Sequence, residues 1–472
     1  MKKAPSLQGS IRAIGEMLRR GEASALEIVD ERLARIEALQ PIVNAFIEVD
    51  VETARASALA SDRRRATGLS LGILDGTPLG LKDMFSTPGR CCSFGTSIGE
   101  TETPRRPAAV VQRLRDAGAI NLGFLNMAPF ALGATGHNPT FGDCRNPWSI
   151  DRITGGSSSG AGAAVSAGLV AGAVGSDTGG SARIPAACCG VVGLRPTSGR
   201  ISRQGAMPLA GSFDVVGPLG SSVDDVALLF SALCGADPQD PPTLAAPLWM
   251  DGALALTRAS AVRIVYPSQS IASEADEQIA RALSNAARAF EAGGVEVVPG
   301  VLPDIDELHR LADLIQAAEA AAVHAKRLRT HPTAYAAHIR DRIEPGFSVM
   351  ATDYIGAVTQ RAQRREAFVR DVLKGCAILM IPTLSQPTPT IEETAPGRSE
   401  AASSDTANLT RWTRWVSYLD LPSISIPCGF DKRGMPIGLQ LVGAPFEERR
   451  LLEMAGFYEA LTAWPRRPET LA

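Results

Sequence analysis

Histidine is scarce in this sequence, and its scarcity limits the kinds of catalytic site that the chain can build. Only five histidines occur among 472 residues, and none belongs to an H-E-x-x-H pattern. The eight cysteines lie at spacings that fit neither a disulfide framework nor C-x-x-C zinc ligation. We therefore expect no metal site, and we expect the cysteines to be buried free thiols in a reducing cytoplasm.

A surplus of charge is also missing. Lys and Arg total 47 against 50 Asp and Glu, so the net charge of −3 offers no basic footprint for nucleic acid. No basic and apolar leader follows Met1, and the longest uncharged stretch, 155–176, is too rich in Gly and Ser to span a membrane. The composition predicts a cytoplasmic protein that binds neither nucleic acid nor a membrane.

Small residues, by contrast, dominate one long segment. Between 155 and 181 nearly every residue is Gly, Ala, Ser or Thr, and a Gly-Gly-Ser turn stands at each end, closing on Ser157 and Ser181. The pattern predicts a buried helix over 161–171 and a core strand over 172–176. Two serines at opposite ends of one rigid unit can face a common point. Glycine turns also leave backbone N–H groups free, as an oxyanion hole requires.

Lys82 is the second candidate for chemistry. It lies in LDGTPLGLKD, a segment whose apolar neighbours Leu79, Leu81 and Met84 predict a buried strand. Burial would disfavour the ammonium form and lower the pKa of the amine, which could then act as a base. A surface lysine with its charged end in water is the alternative interpretation.

The segment from Gly155 to Thr197 resembles the signature of the amidase signature family. The resemblance rests on the GGSS turn, the following run of small residues, a G-G-S-x-R turn ending at Arg183, and a G-L-R-P-T strand. Ser159 departs from the family, which usually has Gly there. Similarity extends over nearly the whole chain and is weakest between about 236 and 360.

The resemblance implies a cofactor-free Ser-cisSer-Lys site. In it Ser181 is the acyl nucleophile, Ser157 is the bridging serine after a cis peptide, and Lys82 is the base, in a G-x-P-x-x-x-K-D pattern that the family shares. Ser158 and Ser159 remain rival candidates for the bridging role.

The turn at the nucleophile is expected to hold the oxyanion. The expected donors are the backbone N–H groups of Thr178, Gly179, Gly180 and Ser181. Asp177 is expected to accept hydrogen bonds from the turn rather than to react, and Arg183 to hold the turn against Asp177.

Four residues are candidates for the substrate pocket: Phe130, Leu132, Phe141 and Ile184. Each is equally compatible with an ordinary place in the core. Ile184 stands where a polar residue would grip a polar acyl group, so its presence favours a neutral, partly apolar substrate. The segment 382–408 is expected either to roof the cleft or to be a solvated connection.

Alternating helices and strands, together with the resemblance, predict an α/β fold: a single α/β/α domain over 1–472 with a large mixed sheet. Residues 1–70 are expected to form leading helices that pack on the core or in a homodimer interface. Residues 236–360 are expected to form a more variable helical region. The local patterns also predict a helix over 23–39 that ends before Pro41, a strand over 191–201, a linker over 236–252 and a helix over 274–292.

The function implied is that of an amidase, which cleaves a C–N bond of a small molecule. Carbamate, urethane or urea-type hydrolysis shares the tetrahedral intermediate and is one alternative. An amidotransferase A-type subunit that acts on glutamine with partner chains is another, although relatives of that kind have Gln where this chain has Ile184.

Overall fold

Helices and strands alternate through the computed structural model, which describes residues 9–249, 262–374, 377–397, 408–462, 464 and 468. The α-helices are α1 (Ile11–Arg20), α2 (Ala25–Val43), α3 (Val51–Ala66), α4 (Ala109–Asp116), α5 (Ser159–Ser166), α6 (Arg183–Cys189), α7 (Val223–Leu233), α8 (Pro242–Ala245), α9 (Ser268–Glu274), α10 (Glu277–Ala292), α11 (Ile305–Thr330), α12 (Ala337–Ile343), α13 (Ala351–Asp371), α14 (Arg414–Tyr418) and α15 (Glu448–Thr462). The β-strands are β1 (Phe46–Val49), β2 (Pro78–Lys82), β3 (Ile120–Leu125), β4 (Arg145–Asn146), β5 (Ser149–Ile153), β6 (Gly172–Asp177), β7 (Val192–Arg195), β8 (Val215–Gly220), β9 (Arg263–Tyr266), β10 (Val297–Pro299), β11 (Ala377–Pro382), β12 (Ser423–Phe430) and β13 (Pro436–Val442).

Eleven of the described strands form one sheet, in the order β1-β3-β2-β6-β8-β7-β12-β13-β11-β9-β10. The sheet is mixed, because β3, β2 and β6 run parallel whereas β6, β8, β7, β12 and β13 are successively antiparallel. Helices flank it, as the sequence predicts, so the mixed α/β class is confirmed. No helix within the described ranges is long and apolar enough to cross a membrane.

The parallel pairing of β2 with β6 determines where the site forms. Leu79 pairs with Gly172 and Leu81 with Val174, so the two strands end side by side. Lys82 is the last residue of β2 and Asp177 the last of β6. Both strands are buried along their whole length. The lysine and the aspartate therefore lie at the buried carboxyl ends of neighbouring strands.

Small residues let α5 lie very close to the neighbouring backbone. A Cβ added at Gly160 would stand 2.2 Å from the carbonyl oxygen of Ala45 and 2.5 Å from the amide nitrogen of Asn126. The backbone N–H of Gly160 also donates to the carbonyl of Asn126, at 2.8 Å. The absence of a side chain therefore fixes the depth at which this helix packs.

The predicted bounds of the small-residue helix are wrong at its carboxyl end. The helix ends at Ser166 rather than at 171, because Gly168 takes a left-handed conformation with φ 67° and the amide of Leu169 turns back to the carbonyl of Ala164. The core strand starts at Gly172 as predicted and extends to Asp177.

Proline does not end α2, contrary to the sequence-based expectation. The helix continues through Pro41 to Val43 and ends at Asn44, whose φ of 50° is left-handed and whose amide donates to Gln40. A proline this close to the end of a helix removes few backbone hydrogen bonds, so the cap decides where the helix stops.

Other boundaries differ from the prediction where a capping residue or a proline intervenes. One helix predicted over 274–292 is two, α9 and α10, since Asp276 caps the second. The strand predicted over 191–201 is only β7, which stops before Pro196. The predicted linker 236–252 contains α8, and residues 250–252 of that linker lie outside the described residues. Residues 398–407 of the segment predicted to roof the cleft also lie outside them.

The leading helices pack on the core. The amide of Ile11 donates to the buried carboxylate of Asp225 at 2.7 Å, which joins α1 to α7. The buried guanidinium of Arg32 on α2 donates to the carbonyl of Gly168, just after α5. These contacts connect the amino-terminal segment to the small-residue unit.

Gly160→Ala should destabilise the protein by about 1–3 kcal/mol or more, because the added methyl meets backbone atoms that cannot rotate away. The free energy of unfolding from urea titration measures this. Gly356→Ala in α13 is the matched control, since no atom lies within 4 Å of its added Cβ. That substitution should be stabilising by about 0.5–1 kcal/mol, and equal effects from the two would contradict the packing explanation.

Candidate active site

Lys82 is fully buried and its amine contacts two serine hydroxyls. The Lys82 Nζ lies 2.7 Å from the Oγ of Ser157 and 2.9 Å from the Oγ of Ser176. The interpretation of Lys82 as a surface lysine is therefore wrong. The contact with Ser176 comes from the adjacent ends of β2 and β6, and the contact with Ser157 comes from the loop that precedes α5.

Burial shifts the protonation equilibrium of this amine. Desolvation lowers the pKa of Lys82 to about 7, against the opposing effect of the negative charges on Asp177 and Asp214. A large fraction of the amine is thus neutral at physiological pH. A neutral amine has a lone pair with which to accept a proton, whereas an ordinary lysine has none.

Of the three adjacent serines, it is Ser157 that meets Lys82. It follows a cis peptide bond from Gly156, as the resemblance implies. The Ser158 hydroxyl instead donates to the carbonyl of Ser176 at 3.2 Å, and the Ser159 hydroxyl donates to the carbonyl of Asn126 at 3.2 Å. The two rivals for the bridging position are therefore engaged with backbone groups.

The turn that carries Ser181 is built around the carboxylate of Asp177. One oxygen accepts from the amide of Gly180 at 2.9 Å, and the other accepts from the amide of Ala182 at 3.2 Å. Arg183 binds both oxygens, at 2.9 and 2.8 Å, and Arg195 adds a contact at 3.3 Å. The predicted pairing of Arg183 with Asp177 is present.

These arginines keep Asp177 ionised in a fully buried position. Burial alone would raise the pKa of this carboxyl, but the charges and hydrogen bonds of Arg183 and Arg195 outweigh it and hold the pKa of Asp177 well below its usual range. Asp177 is therefore a fixed acceptor in the turn.

One of the four predicted oxyanion donors, the amide of Gly180, already donates a hydrogen bond within the protein. Because the amide of Gly180 donates to Asp177, it does not point into the cleft, and its inclusion among the donors was wrong. Among the described residues, the amides of Thr178, Gly179 and Ser181 have no protein acceptor. Gly180 serves the turn differently: its φ is 128°, and an added Cβ would lie 2.3 Å from the Oγ1 of Thr413.

Ser181 lies beside the bridging serine and is half-buried. The amide of Ser158 donates to the carbonyl of Ser181 at 3.2 Å, which links the two glycine turns. Within the described chain, the Ser181 hydroxyl forms no hydrogen bond to a protein group, so it is available to a substrate. The structure thus places the Ser181 turn against the turn that carries Ser157, whose hydroxyl contacts Lys82.

The aromatic residues predicted to line the pocket have these surroundings. Phe130 stacks on Tyr335 with centroids 4.9 Å apart and meets His324 edge-on, inside a buried cluster that Leu132 adjoins in sequence. Phe141 lies on a loop whose carbonyl accepts from Asn44.

Ile184 lies beneath the turns rather than along a cleft. It is 1% exposed, and added Cβ atoms at Gly155 and Gly180 would stand 2.9 and 2.8 Å from its methyl groups. The role in acyl selection assigned to Ile184 is therefore wrong, because its side chain fills the core under both glycines.

A polar pair faces the turn instead. An added Cβ on Gly179 would lie 3.5 Å from the Nε of Arg414 and 3.7 Å from the Oε1 of Gln316. The Arg414 Nε is buried and has no hydrogen-bond partner within the described residues, while its Nη1 pairs with Asp313. The surface over the nucleophile turn is therefore able to hydrogen-bond a polar group.

Sequence reasoning missed three side chains that shape the site: Ser176, Asp214 and Thr413. The Thr413 hydroxyl donates to the carbonyl of Gly179 at 2.6 Å, and the Thr178 hydroxyl donates to Asp214 at 2.6 Å. Ser176 had a usable signal, since it stands near the end of a predicted strand, as Lys82 does. The other two lie far along the chain from the turn, and nothing local pairs them with it.

Asp177→Asn should destabilise the protein by about 3–5 kcal/mol, because it leaves two buried arginine charges without their carboxylate. Chemical denaturation followed by circular dichroism measures the loss. Asp30→Asn removes an ion pair whose side chains are 53% and 45% exposed, and it should cost less than about 1 kcal/mol. Equal losses would show that the buried cluster does not hold the turn.

Comparison with known proteins identifies the family of this chain. The family model Amidase matches residues 27–452. The A-type subunit of glutamyl-tRNA(Gln) amidotransferase from Roseiflexus castenholzii is 36% identical, over 98% of both chains. A solved 6-aminohexanoate cyclic dimer hydrolase in complex with substrate is 29% identical, with a TM-score of 0.86 over 99% of this chain and all of the other.

A second solved structure belongs to a vestigial protein complex that reveals the origins of an s-triazine catabolic enzyme. It is 35% identical with a TM-score of 0.88, and the match covers 98% of this chain and all of that one. Both the family model and the relatives span nearly the whole sequence. The chain therefore belongs to the Amidase family of amidase signature enzymes, which cleave carbon–nitrogen bonds.

Proposed function

We propose that this protein hydrolyses a linear amide of a small molecule through an acyl-enzyme on Ser181. The observation that carries the proposal is the buried amine of Lys82 at 2.7 Å from Ser157, beside a half-buried serine on a turn with free N–H groups. A serine hydroxyl is a weak nucleophile at neutral pH and needs an adjacent base. Lys82, acting through Ser157, supplies that base in a site without histidine.

Acylation begins when the Ser181 Oγ attacks the substrate carbonyl carbon. Its proton passes to Ser157, whose own proton passes to the lone pair of Lys82. The carbonyl oxygen becomes an oxyanion, which the amides of Thr178, Gly179 and Ser181 can stabilise. Loss of one such donor typically costs about 10²–10³ in rate.

Collapse of the intermediate breaks the C–N bond, and the same protons travel back. Lys82 returns its proton through Ser157 to the departing nitrogen, because an amide nitrogen is too basic to leave as an anion. Water then attacks the Ser181 ester, gives up its proton along the same path, and releases the acid. Each proton that Lys82 accepts is returned, so the cycle balances without a metal or cofactor step.

Ser176 orients the amine during these transfers. A neutral lysine amine has two N–H donors and one lone pair. Donation from Nζ to the Oγ of Ser176, at 2.9 Å, turns the lone pair toward Ser157. The Ser157 hydroxyl then donates its hydrogen bond to the nitrogen of Lys82, which is the direction needed for Lys82 to take up a proton.

Polar groups over the turn bear on the substrate class. Since Ile184 is in the core, the argument for a neutral and partly apolar acyl group has lost its basis. The unpartnered Nε–H of Arg414 favours an acyl part that carries a hydrogen-bond acceptor, and the Oε1 of Gln316 can accept from a donor. Carbamate or urea-type substrates fit the same chemistry and remain alternatives.

A second candidate function is that of an amidotransferase A-type subunit, which would act on glutamine. It is favoured by the 36% identity to the A-type subunit of glutamyl-tRNA(Gln) amidotransferase, over 98% of both chains. Such a subunit works with partner chains, so isolation of a stable complex from cells would support it. A homodimer of a free-standing amidase in the cytoplasm is the competing proposal.

A panel of amides, anilides, carbamates, esters and glutamine, with ammonia and amine release assayed separately, tests the reaction class. We expect amide turnover that Ser181→Ala abolishes. A fluorophosphonate probe should label Ser181, as identified by peptide mass spectrometry, and should not label the Ser181→Ala variant. Labelling at another serine would refute the assignment of the nucleophile.

Lys82→Ala should slow hydrolysis of an amide far more than hydrolysis of a matched activated ester. General acid–base assistance is typically worth about 10²–10⁴-fold, and only the amide needs it at both bond-making and bond-breaking. The ratio of kcat/KM values for the two substrates measures the difference. Lys432→Ala, at an exposed lysine, is the control and should leave the ratio unchanged. Equal losses on amide and ester would remove Lys82 from the proton path.

Amide turnover by the unaltered protein should rise with pH through a midpoint near 7. The base works only when neutral, so activity is low below the pKa of Lys82, which burial lowers to about 7, and reaches a plateau above it. A lysine with its ordinary pKa would instead give a rise centred above about pH 10. A kcat/KM profile that is flat from about pH 6 to 10 would contradict the role of Lys82.

A further inference from the structure

A cavity lies beside Ser176, whose hydroxyl contacts the amine of Lys82. It has a volume of about 260 Å³ and is lined by Met84, Phe85, Ser176, Met207, Asp214 and Val216, among others. Ser176 lines this cavity and also contacts the Nζ of Lys82. The charged side chains of Asp214, Arg203 and Asp240 therefore lie in the same recess as the hydroxyl that orients the amine.

Asp214 stands where β8 begins, opposite the end of β6. Its neighbour Val215 pairs with Asp177, so Asp214 is level with Thr178 in the nucleophile turn. One carboxylate oxygen accepts from the Thr178 hydroxyl at 2.6 Å, and the other accepts from the amides of Leu209 and Ala210 at 2.8 and 3.0 Å. Both oxygens are thus held by neutral donors.

The charge on Asp214 is compensated less directly than that on Asp177. Asp177 binds Arg183 and Arg195 in direct contact. The nearest arginine of the cavity, Arg203, pairs its Nη2 with Asp240 at 3.1 Å and reaches only the backbone carbonyl of Asp214, at 3.5 Å. Asp214 consequently presents a negative charge toward the recess that Ser176 shares.

We propose that Asp214 is a positioning residue that fixes Thr178 in the oxyanion turn and stabilises the protonated form of Lys82 across Ser176. The proposal rests on the roles given above to Lys82 and to the turn. When Lys82 accepts the proton of Ser157, a positive charge appears in a buried site, where a nearby carboxylate lowers its free energy.

Two further observations agree with this assignment. Asp177 and Asp214 are the carboxylates whose charges raise the pKa of Lys82 against the effect of burial. Burial in turn raises the pKa of Asp214, against the Thr178, Leu209 and Ala210 hydrogen bonds and the charge of Arg203. The other charged groups that act on Lys82 and Asp214 are Asp177, which binds Arg183 and Arg195, and Arg203, which pairs with Asp240.

The test compares pH profiles of kcat and KM for an amide in three variants. Asp214→Asn keeps the shape of the side chain and removes its charge, whereas Thr178→Val removes only the hydroxyl that Asp214 holds. Glu319→Gln is the matched control: its carboxylate anchors the same loop through Ser212, at 2.9 Å from the backbone amide, but it is not among the charges that act on Lys82.

Asp214→Asn should lower the midpoint of the kcat/KM profile by about half a unit or more, short of the one to three units typical of a carboxylate in direct contact. It should also lower kcat about tenfold, less than the loss of a whole oxyanion donor, with KM within about threefold of its original value. Thr178→Val should lower kcat without moving the midpoint.

The proposal is overturned if the midpoint of the kcat/KM pH profile is unchanged in Asp214→Asn, or if it moves equally in Glu319→Gln. Asp214 would then be a structural residue only. Thermal unfolding of each variant shows whether the fold is intact, and Thr178→Val keeps the positioning claim testable if Asp214→Asn does not fold. If the unaltered protein shows no step near pH 7, the proposed function fails, and this inference fails with it. The two failures are therefore distinguishable.

Discussion

The turn that carries Ser181, the proposed nucleophile, depends on the buried carboxylate of Asp177. Within the described residues five donor groups converge on it: the amides of Gly180, Ala182 and Arg183 and the guanidinium groups of Arg183 and Arg195. A buried ion cluster of this kind adds little net stability, because removing the charges from water costs about as much as their attraction returns. Its effect is geometric. It holds the backbone so that the amides on either side of Gly180 remain unpaired and available to an oxyanion.

The absence of side chains is the second constraint on which the site depends. Gly160 lets α5 approach the carbonyl of Ala45, and Gly180 leaves room for the hydroxyl of Thr413, which binds the carbonyl of Gly179. Protein interiors are close-packed, so a methyl group at Gly160 would displace backbone and one at Gly180 would displace the side chain of Thr413. Lys82 is buried against Ser157 and Ser176 with no carboxylate of the described residues in contact, and this desolvation lowers its pKa to about 7, as the proposed base requires.

The proposed chemistry and the proposed selectivity depend on different parts of the molecule. The turns that hold Ser157 and Ser181 belong to one small-residue unit, which the neighbouring strand β2 with Lys82 adjoins, and a fold of this kind is shared with relatives named as a cyclic-dimer hydrolase and as part of an amidotransferase. The polar groups above the turn, Arg414 and Gln316, come from the separate helices α14 and α11. Sites whose reacting groups lie on a rigid scaffold and whose walls come from other elements can change substrate without changing mechanism.

The sequence by itself determined which residues form the proposed catalytic set, because its members lie in short local patterns. Apolar neighbours and glycine turns constrain the backbone within a few residues, which predicted the two serine turns and the buried strand that ends at Lys82, whereas the roles of Lys82, Ser157 and Ser181 came from the family resemblance. The mixed sheet followed from the alternation of helices and strands together with that resemblance, although caps and left-handed residues such as Asn44 and Gly168 set the ends of helices. Only the tertiary structure decided that the amide of Gly180 donates to Asp177 and that Ile184 lies in the core. It also decided that Asp214, Thr413 and Arg414 lie around the turn. These side chains come from elements distant in sequence, and the order in which strands and helices pack, which no local pattern encodes, brings them to the site.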